Sequence, residues 1–247
     1  MLLAYTSLTL RAFASIGRSL SGRSTLRVHA TFVQMVNVGV NSLPTVGLAC
    51  LFMGLVLAMQ SAGQLAQLGA TERVADLVSF AMLREIGPLI TAVVVIGRSG
   101  SSITAELGTM KVSEEIEALE VMAIDPVRYL VVPRLLAMII MMPCLTIIGE
   151  ALGLFGGWLL GVNSLSLDPL LYITRSLQAV DLKDLYTGLF KSLVFGFLIG
   201  SIACTYGMEV RDGAEGVGRN TTQSVVSCLL AMLGMDAILT AIFFFAT

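Results

Sequence analysis

Long apolar stretches that hold very few charged residues recur five times along the chain. They cover 43–64, 74–105, 130–162, 185–208 and 221–245. A helix needs roughly 20 mostly apolar residues to cross a bilayer, so each stretch is long enough to do so. None shows the alternation of period two that a lipid-facing barrel strand requires. The pattern therefore predicts an all-α integral membrane protein with five transmembrane helices.

The segment before the first span has another pattern. Residues 1–30 contain several arginines and no acidic residue. On a helix Phe13, Ile16 and Leu20 share one face, while arginines lie on another. This pattern predicts an amphipathic helix in the plane of the membrane interface. The arginines follow the first apolar residues, which disfavours a cleaved signal peptide; a transit peptide is the alternative.

Composition narrows the classes of function. Of 247 residues, 56% are hydrophobic and 13% charged, with a net charge of −2. Soluble domains carry about 25% charged residues, and a nucleic-acid binder needs a basic face. Soluble enzymes, disordered proteins and nucleic-acid-binding proteins are therefore excluded. We expect one helical membrane domain over 1–247.

The basic residues outside the spans predict the orientation. With a cytoplasmic N-terminus, nine lie on the cytoplasmic side and three on the other: Arg11, Arg18, Arg23, Arg27, Lys111, Arg128, Arg134, Arg211 and Arg219 against Arg73, Arg175 and Lys183. Because positive residues are retained inside, the N-terminus is expected in the cytoplasm.

The sequence offers no catalytic or metal site. It has one histidine, and its four cysteines lie far apart inside apolar runs, without the clustering that metal or redox chemistry needs. The P-loop pattern GxxxxGK[ST] is absent, so nucleotide hydrolysis would belong to another chain. The glycine-rich stretch 211–219 is predicted to be a tight turn. We expect no catalytic residue and no cofactor bound by this chain.

Charged residues inside the spans are candidates for function, because each costs a few kcal/mol in hydrocarbon. Arg84 and Glu85 precede Pro88, whose ring would clash with the carbonyl of Arg84 in a straight helix. The sequence thus predicts a kink that holds opposite charges. It would bind a polar headgroup or gate a cavity; a self-compensating ion pair is the alternative.

Other intramembrane polar residues are Arg98, Glu106, Lys191 and Asp236. Small residues around Arg98 and Glu106 predict close helix packing with polar bonds near the inner membrane face. Lys191 and Asp236 lie on different spans, and both structural pairing and a role in transport stay open. Glu150 has no evident partner in the sequence.

Glycines every four residues mark a face for helix contact. Gly149, Gly153, Gly157 and Gly161 follow this spacing in the third span, and Gly196 and Gly200 repeat it in the fourth. Membrane helices associate largely through such small-residue faces. Another backbone is expected to lie against the third span.

An acidic helix is predicted between the second and third spans, within 109–126. Ser113 would cap it, and Asp125 before Pro126 would end it. Its glutamates are Glu114, Glu115, Glu117 and Glu120. This pattern favours docking of the helix into a groove of another protein; a solvated loop helix is the alternative.

Several motifs together resemble the MlaE/YrbE permease family. They are LREIGPLITA at 83–92, GRSGSS at 97–102, AELGTMK at 105–111, EEIEALEVM at 114–122, DPVRYLVVPR at 125–134, GLFKS at 188–192, GAEGVGR at 213–219 and DAILT at 236–240. Members are membrane subunits of ABC transporters that work with MCE proteins. The similarity covers essentially everything after about residue 37.

The resemblance implies a homodimer bound to two ATPase subunits, which use ATP and Mg²⁺, and to a hexameric MCE-domain ring. It implies transport of phospholipid between the inner and outer membranes of a Gram-negative bacterium, which contributes to outer-membrane lipid asymmetry. Segment 109–126 becomes the cytoplasmic coupling helix on the ATPase. Arg84 and Glu85 match the charged pair beside a lipid cavity at the dimer interface, Lys191 and Asp236 match other intramembrane charges, and the apolar lining falls on Leu57, Leu65 and Leu68.

Other functions are weighed against this one. An ion-coupled secondary transporter or channel for a hydrophobic solute would use Glu85, Glu150 and Asp236 to carry protons. Such carriers often show two related halves, and the sequence has no internal repeat. An intramembrane enzyme lacks a nucleophile–base pair or a metal site. A structural anchor for the ring would differ in having no ATP-dependent lipid transfer.

Overall fold

The computed structural model describes residues 28–165 and 167–245, which form ten α-helices and no strand. Most of the predicted interfacial segment 1–30 lies outside these residues. The helices are α1 (Val28–Val38), α2 (Leu43–Gln67), α3 (Val74–Ala81), α4 (Gly87–Val95), α5 (Ser101–Val112), α6 (Glu115–Val121), α7 (Val132–Leu165), α8 (Pro169–Gln178), α9 (Leu182–Met208) and α10 (Gly213–Phe245). Turns of 3₁₀ or π geometry join several of them.

Within the described residues, five helical segments are long and apolar enough to cross a membrane, which confirms the predicted class and number of spans. They are Val28–Gln67, Thr71–Val112, Val127–Leu165, Leu182–Met208 and Gly213–Phe245. Each is longer than its apolar stretch, because backbone hydrogen bonding continues into the polar flanks. The turn predicted over 211–219 is wrong beyond Asp212, where α10 begins at Gly213.

Contacts divide the described chain into two compact units. The first comprises 28–41, 95–141 and 194–245, and the second comprises 42–94 and 142–193. In the first unit, the buried Thr104 hydroxyl of α5 lies within hydrogen-bonding distance of the Ala203 carbonyl oxygen, at 3.0 Å, and of the Ser224 hydroxyl, at 2.9 Å. This hydroxyl therefore links α5, α9 and α10.

The second unit is built on the glycine face of α7. A Cβ built on Gly54 of α2 would lie 1.9 Å from the carbonyl oxygen of Gly153, so the two backbones nearly touch. Gly157 and Gly161 instead receive the ring of Tyr172 from α8. The face thus packs against a helix backbone at one end and an aromatic side chain at the other.

The acidic segment forms a shorter helix than its sequence suggests. Within 109–126, α5 ends at Val112 and α6 covers Glu115–Val121. The N-cap is Glu114, whose φ is +60°, so the prediction that Ser113 caps the helix is wrong. The Ser113 hydroxyl donates back to the carbonyl oxygen of Thr109 at 3.0 Å, because it still belongs to the last turn of α5.

Candidate functional site: a charged cluster beside a π-helical turn

A π-helical turn, Met82–Ile86, carries Arg84 and Glu85 in the second span. Pro88 follows it and has no N–H to bond the carbonyl of Arg84, so regular α-helical bonding is interrupted at the predicted position. Single π turns inside α-helices often occur at functional sites. The local sequence therefore places two adjacent charges on a distorted turn.

Lys191 on α9 meets the second of these charges. Its Nζ atom donates to Oε2 of Glu85 at 2.5 Å. The lysine side chain is fully buried, whereas the glutamate side chain is 29% exposed. A buried ammonium in a membrane span requires such a carboxylate, because the desolvated charge alone is costly.

The first charge has a different and looser partner. An Arg84 guanidinium nitrogen lies 3.7 Å from Oδ1 of Asp184, and the guanidinium stands over the Phe80 ring with 5.2 Å to its centroid. Asp184 and Lys191 lie two turns apart on one face of α9, so this helix supplies partners for both residues of the π turn. The adjacent pair thus engages α9 through separate contacts.

Glu150 of α7 adds another carboxylate to this region. It is only 3% exposed, and its Oε1 atom has no hydrogen-bond partner within the described part of the chain. A Cβ on Gly87 would lie 2.6 Å from its Cγ atom, and one on Gly188 would lie 3.4 Å from Oε1. These glycines leave room for the carboxyl group between α4 and α9.

Close helix approach makes the cluster compact. A Cβ on Gly188 would lie 2.2 Å from the carbonyl oxygen of Leu83, so α9 contacts the π turn almost backbone to backbone. The cluster combines two cations with three carboxyl groups: Arg84 and Lys191 with Glu85, Asp184 and Glu150. Among the described residues, no group of three His, Cys, Asp or Glu side chains is placed to hold a metal ion. The arrangement suits recognition of a charged organic group.

The same unit contains an apolar cavity of about 390 Å³ between α7 and α8. Its lining includes Trp158, Tyr172 and Ser176, whose polar atoms are buried without a partner in the described residues. Burial raises the pKa of the Tyr172 phenol to about 12. The cavity is chemically suited to a hydrocarbon chain.

The remaining intramembrane candidates belong to other turns and helices of the chain. Glu106 forms an ion pair with Arg134 at 2.7 Å, and Arg98 is exposed on the same span as Glu106. Asp236 is half-buried in α10. The apolar candidates lie along α2 and at its end: Leu57 and Leu65 are half-buried and Leu68 is exposed.

The acidic helix presents a mixed surface. Glu114, Glu115 and Glu120 are exposed, whereas Glu117 forms a hydrogen-bonded ion pair with Lys111. This hydrogen bond lowers the pKa of the Glu117 carboxyl group. Only three of the four predicted docking carboxylates are thus directed to solvent without an internal cation.

Sequence reasoning missed Asp184 and the helix α8. The signal for Asp184 was its spacing from Gly188 and Lys191, since positions separated by four and seven residues share one helical face. The signals for α8 were Asp168 and Pro169. The Asp168 carboxylate accepts from the Leu170 and Leu171 amides at 2.7 and 3.2 Å, as an N-cap does.

Known proteins are similar in sequence over most of the chain's length. The family model described as Permease MlaE matches residues 31–242. A probable ABC transporter permease protein of Rickettsia typhi is 41% identical over 211 residues, covering 85% of this chain and 82% of that protein. The intermembrane phospholipid transport system permease protein MlaE of Haemophilus influenzae is 37% identical over 242 residues, covering 94% and 93%. The chloroplastic protein TRIGALACTOSYLDIACYLGLYCEROL 1 of Arabidopsis thaliana is 34% identical over 214 residues, covering 87% and 61%.

Proposed function

Since this chain belongs to the MlaE permease family, we propose that it moves phospholipid between the inner and outer membranes of a Gram-negative bacterium. It is a multi-pass ABC transporter permease. In this proposal it lies in the inner membrane with its N-terminus in the cytoplasm and works as a homodimer with an MCE-domain hexamer. Separate ATPase subunits hydrolyse ATP with Mg²⁺, and the transport contributes to outer-membrane lipid asymmetry.

The charged cluster is the observation that carries this proposal. Arg84 is 23% exposed, and its ion pair with Asp184 spans 3.7 Å, so its guanidinium can exchange that partner for a phosphate. Lys191 is buried against Glu85 and positions the turn. Arg84 is therefore the cation that contacts the headgroup.

The lipid tails need apolar surroundings. Leu57, Leu65 and Leu68 leave apolar surface on and just after α2, and the cavity near Trp158 and Tyr172 adds apolar volume. Cargo sites for amphiphiles combine mostly apolar walls with a few placed polar groups. The second unit contains both within one compact body.

The short helix α6 is the proposed contact with the ATPase. Its exposed glutamates adjoin Val121, which is 88% exposed, and the exposed Met122. Two large apolar side chains in water next to carboxylates are typical of a surface that a partner covers. ATP-driven movement of the partner would reach the spans through α5, which ends three residues before α6.

The headgroup role is tested with Arg84→Gln in proteoliposomes that contain the ATPase and MCE partners. We expect about tenfold slower transfer of fluorescent phospholipid, because a hydrogen bond to a charged group contributes about 1.5–3 kcal/mol. Arg175→Gln is the matched control, since Arg175 forms an exposed ion pair with Glu72. Equal transfer by both variants would contradict the role of Arg84.

The docking role is tested by reversing charge on α6. A variant with Glu114→Lys and Glu115→Lys should lose the ATPase subunit during purification in mild detergent. Glu72→Lys makes a similar change on an exposed residue of another element and should retain the subunit. Full retention by the α6 variant would show that these carboxylates do not dock the ATPase.

A further inference from the structure

A polar cleft in the first unit shares no residue with the charged cluster. Its volume is about 400 Å³, and it opens between α1 and the start of α5. Its polar lining includes Gln34, Asn37 and Asn41 from one side and Arg98 and Ser102 from the other. Most surfaces beside apolar spans are apolar, so this concentration of polar groups requires an explanation.

Arg98 is the uncompensated charge of the cleft. The other ionic residue in its lining, Glu106, is paired with Arg134 at 2.7 Å, and Arg134 is buried. No ion pair or hydrogen bond joins the Arg98 guanidinium group to any residue that the structure describes, although its backbone carbonyl oxygen accepts from the Ser101 hydroxyl. The cleft therefore has a net positive charge that an anion would balance.

The neutral groups match an oxyanion. The amides of Gln34, Asn37 and Asn41 and the hydroxyl of Ser102 each provide N–H or O–H donors. An arginine guanidinium binds two oxygens of a phosphate with its planar fork. The same fork binds a carboxylate equally well. The additional donors of this cleft favour a phosphate, because a phosphate has more acceptor oxygens than a carboxylate.

The position of the cleft along the spans points to lipid. Asn41 lies two residues before the apolar run that starts at Leu43, and Arg98 lies on a second π-helical turn, Ile96–Gly100, near the end of its own apolar run. Polar and apolar chain segments meet at the depth of lipid headgroups, where arginine side chains extend toward the interface. A ligand here has a phosphate in the cleft and hydrocarbon beside it.

We propose that this cleft binds the phosphate group of a phospholipid headgroup, with Arg98 as its charged contact. The site is distinct from the one at Arg84 and does not depend on transport or on the ATPase. It holds a lipid of the surrounding leaflet at the junction of α1 and the second span. Binding there is independent of whether the chain carries cargo at the charged cluster.

The test is whether lipid protects a cysteine thiol introduced in place of Ser102, which lines the cleft and is exposed. The full chain carrying Ser102→Cys is placed in nanodiscs of digalactosyldiacylglycerol, with or without added phosphatidylglycerol. Labelling of that thiol by N-ethylmaleimide is followed by peptide mass spectrometry, so the four native cysteines do not interfere. We expect phosphatidylglycerol to slow labelling about tenfold, because one charge-assisted hydrogen bond changes a binding constant by about that factor.

Second substitutions separate the possible outcomes. Arg98→Gln should abolish the protection and Arg98→Lys should retain part of it, whereas Arg84→Gln should leave it unchanged and so distinguishes this site from the cargo site. Unchanged labelling with phosphatidylglycerol would overturn the proposal. Equal protection by inorganic phosphate in lipid-free detergent would overturn the assignment to lipid, and protection that survives Arg98→Gln would overturn the role of Arg98.

Discussion

Removing either partner of the Lys191–Glu85 pair should destabilise the second unit, and by unequal amounts. Lys191→Met leaves a carboxylate that is 29% exposed, whereas Glu85→Gln leaves an ammonium that is fully buried. Water can solvate the first remaining charge in part and the second hardly at all. The order of the two effects therefore follows from exposure.

The expected magnitudes follow from the same burial. Removing one partner of a buried ion pair lowers the free energy of unfolding by about 3–5 kcal/mol. Because water partly solvates the remaining Glu85 carboxylate, the loss in Lys191→Met should lie at or below the lower end of this range. Since 1 kcal/mol shifts the midpoint by about 2–4 °C in a chain of this size, we expect Glu85→Gln to lower the midpoint by roughly 6 °C or more and Lys191→Met to lower it by less. The double variant should lose less than the sum of the single variants, because the two residues interact directly.

Thermal unfolding in one detergent, followed by intrinsic fluorescence, measures these midpoints. Arg175→Met is the control, since its exposed ion pairs contribute about 0–1 kcal/mol. Strictly additive losses in the double variant would refute the coupling. A larger loss in Lys191→Met than in Glu85→Gln would refute the reasoning from exposure.

Three further predictions concern packing, the acidic helix and α8. Gly54→Ala should lower the unfolding midpoint, since its Cβ would lie 1.9 Å from a backbone oxygen and overpacking costs about 1–3 kcal/mol. The control Gly63→Ala on the same helix should leave the midpoint unchanged, because its Cβ would meet no atom within 4 Å. Lys111→Met should raise the pKa of Glu117 toward 4.5 and speed amide exchange in α6; in the wild type the pair is intact above pH 4.5 and is lost as pH falls through the lowered pKa. Tyr172 should ionise near pH 12, measured as the difference between absorbance titrations of the wild type and of Tyr172→Phe. A difference centred at the usual value near 10 would contradict its burial.

The spans and the glycine contacts followed from sequence because both depend on local spacing. Apolar runs of sufficient length define a membrane helix, and Gly153 lies on a face that its neighbours at intervals of four already mark. Helix termini depend on backbone hydrogen bonds that extend past the apolar run. The start of α10 at Gly213 and the cap at Glu114 were therefore outside what hydropathy alone predicts.

The sequence predicted the residues Arg84 and Glu85 of the candidate site but not the residues with which they pair. Arg84 and Glu85 were identified from their cost in hydrocarbon and from Pro88. Their partners lie on α9, about a hundred positions later, and no local rule sets which face of α9 meets the π turn. Single-sequence spacing shows that Asp184 and Lys191 share a face, but only packing shows what that face contacts.

The most direct measurement of the central claim is phospholipid transfer by the wild-type chain reconstituted with its ATPase and MCE partners, as the energy source is changed. We predict transfer with ATP, none with a non-hydrolysable ATP analogue, and none when a proton gradient is applied to vesicles without the ATPase. Transfer that runs on the proton gradient alone would contradict the account and would favour a secondary transporter.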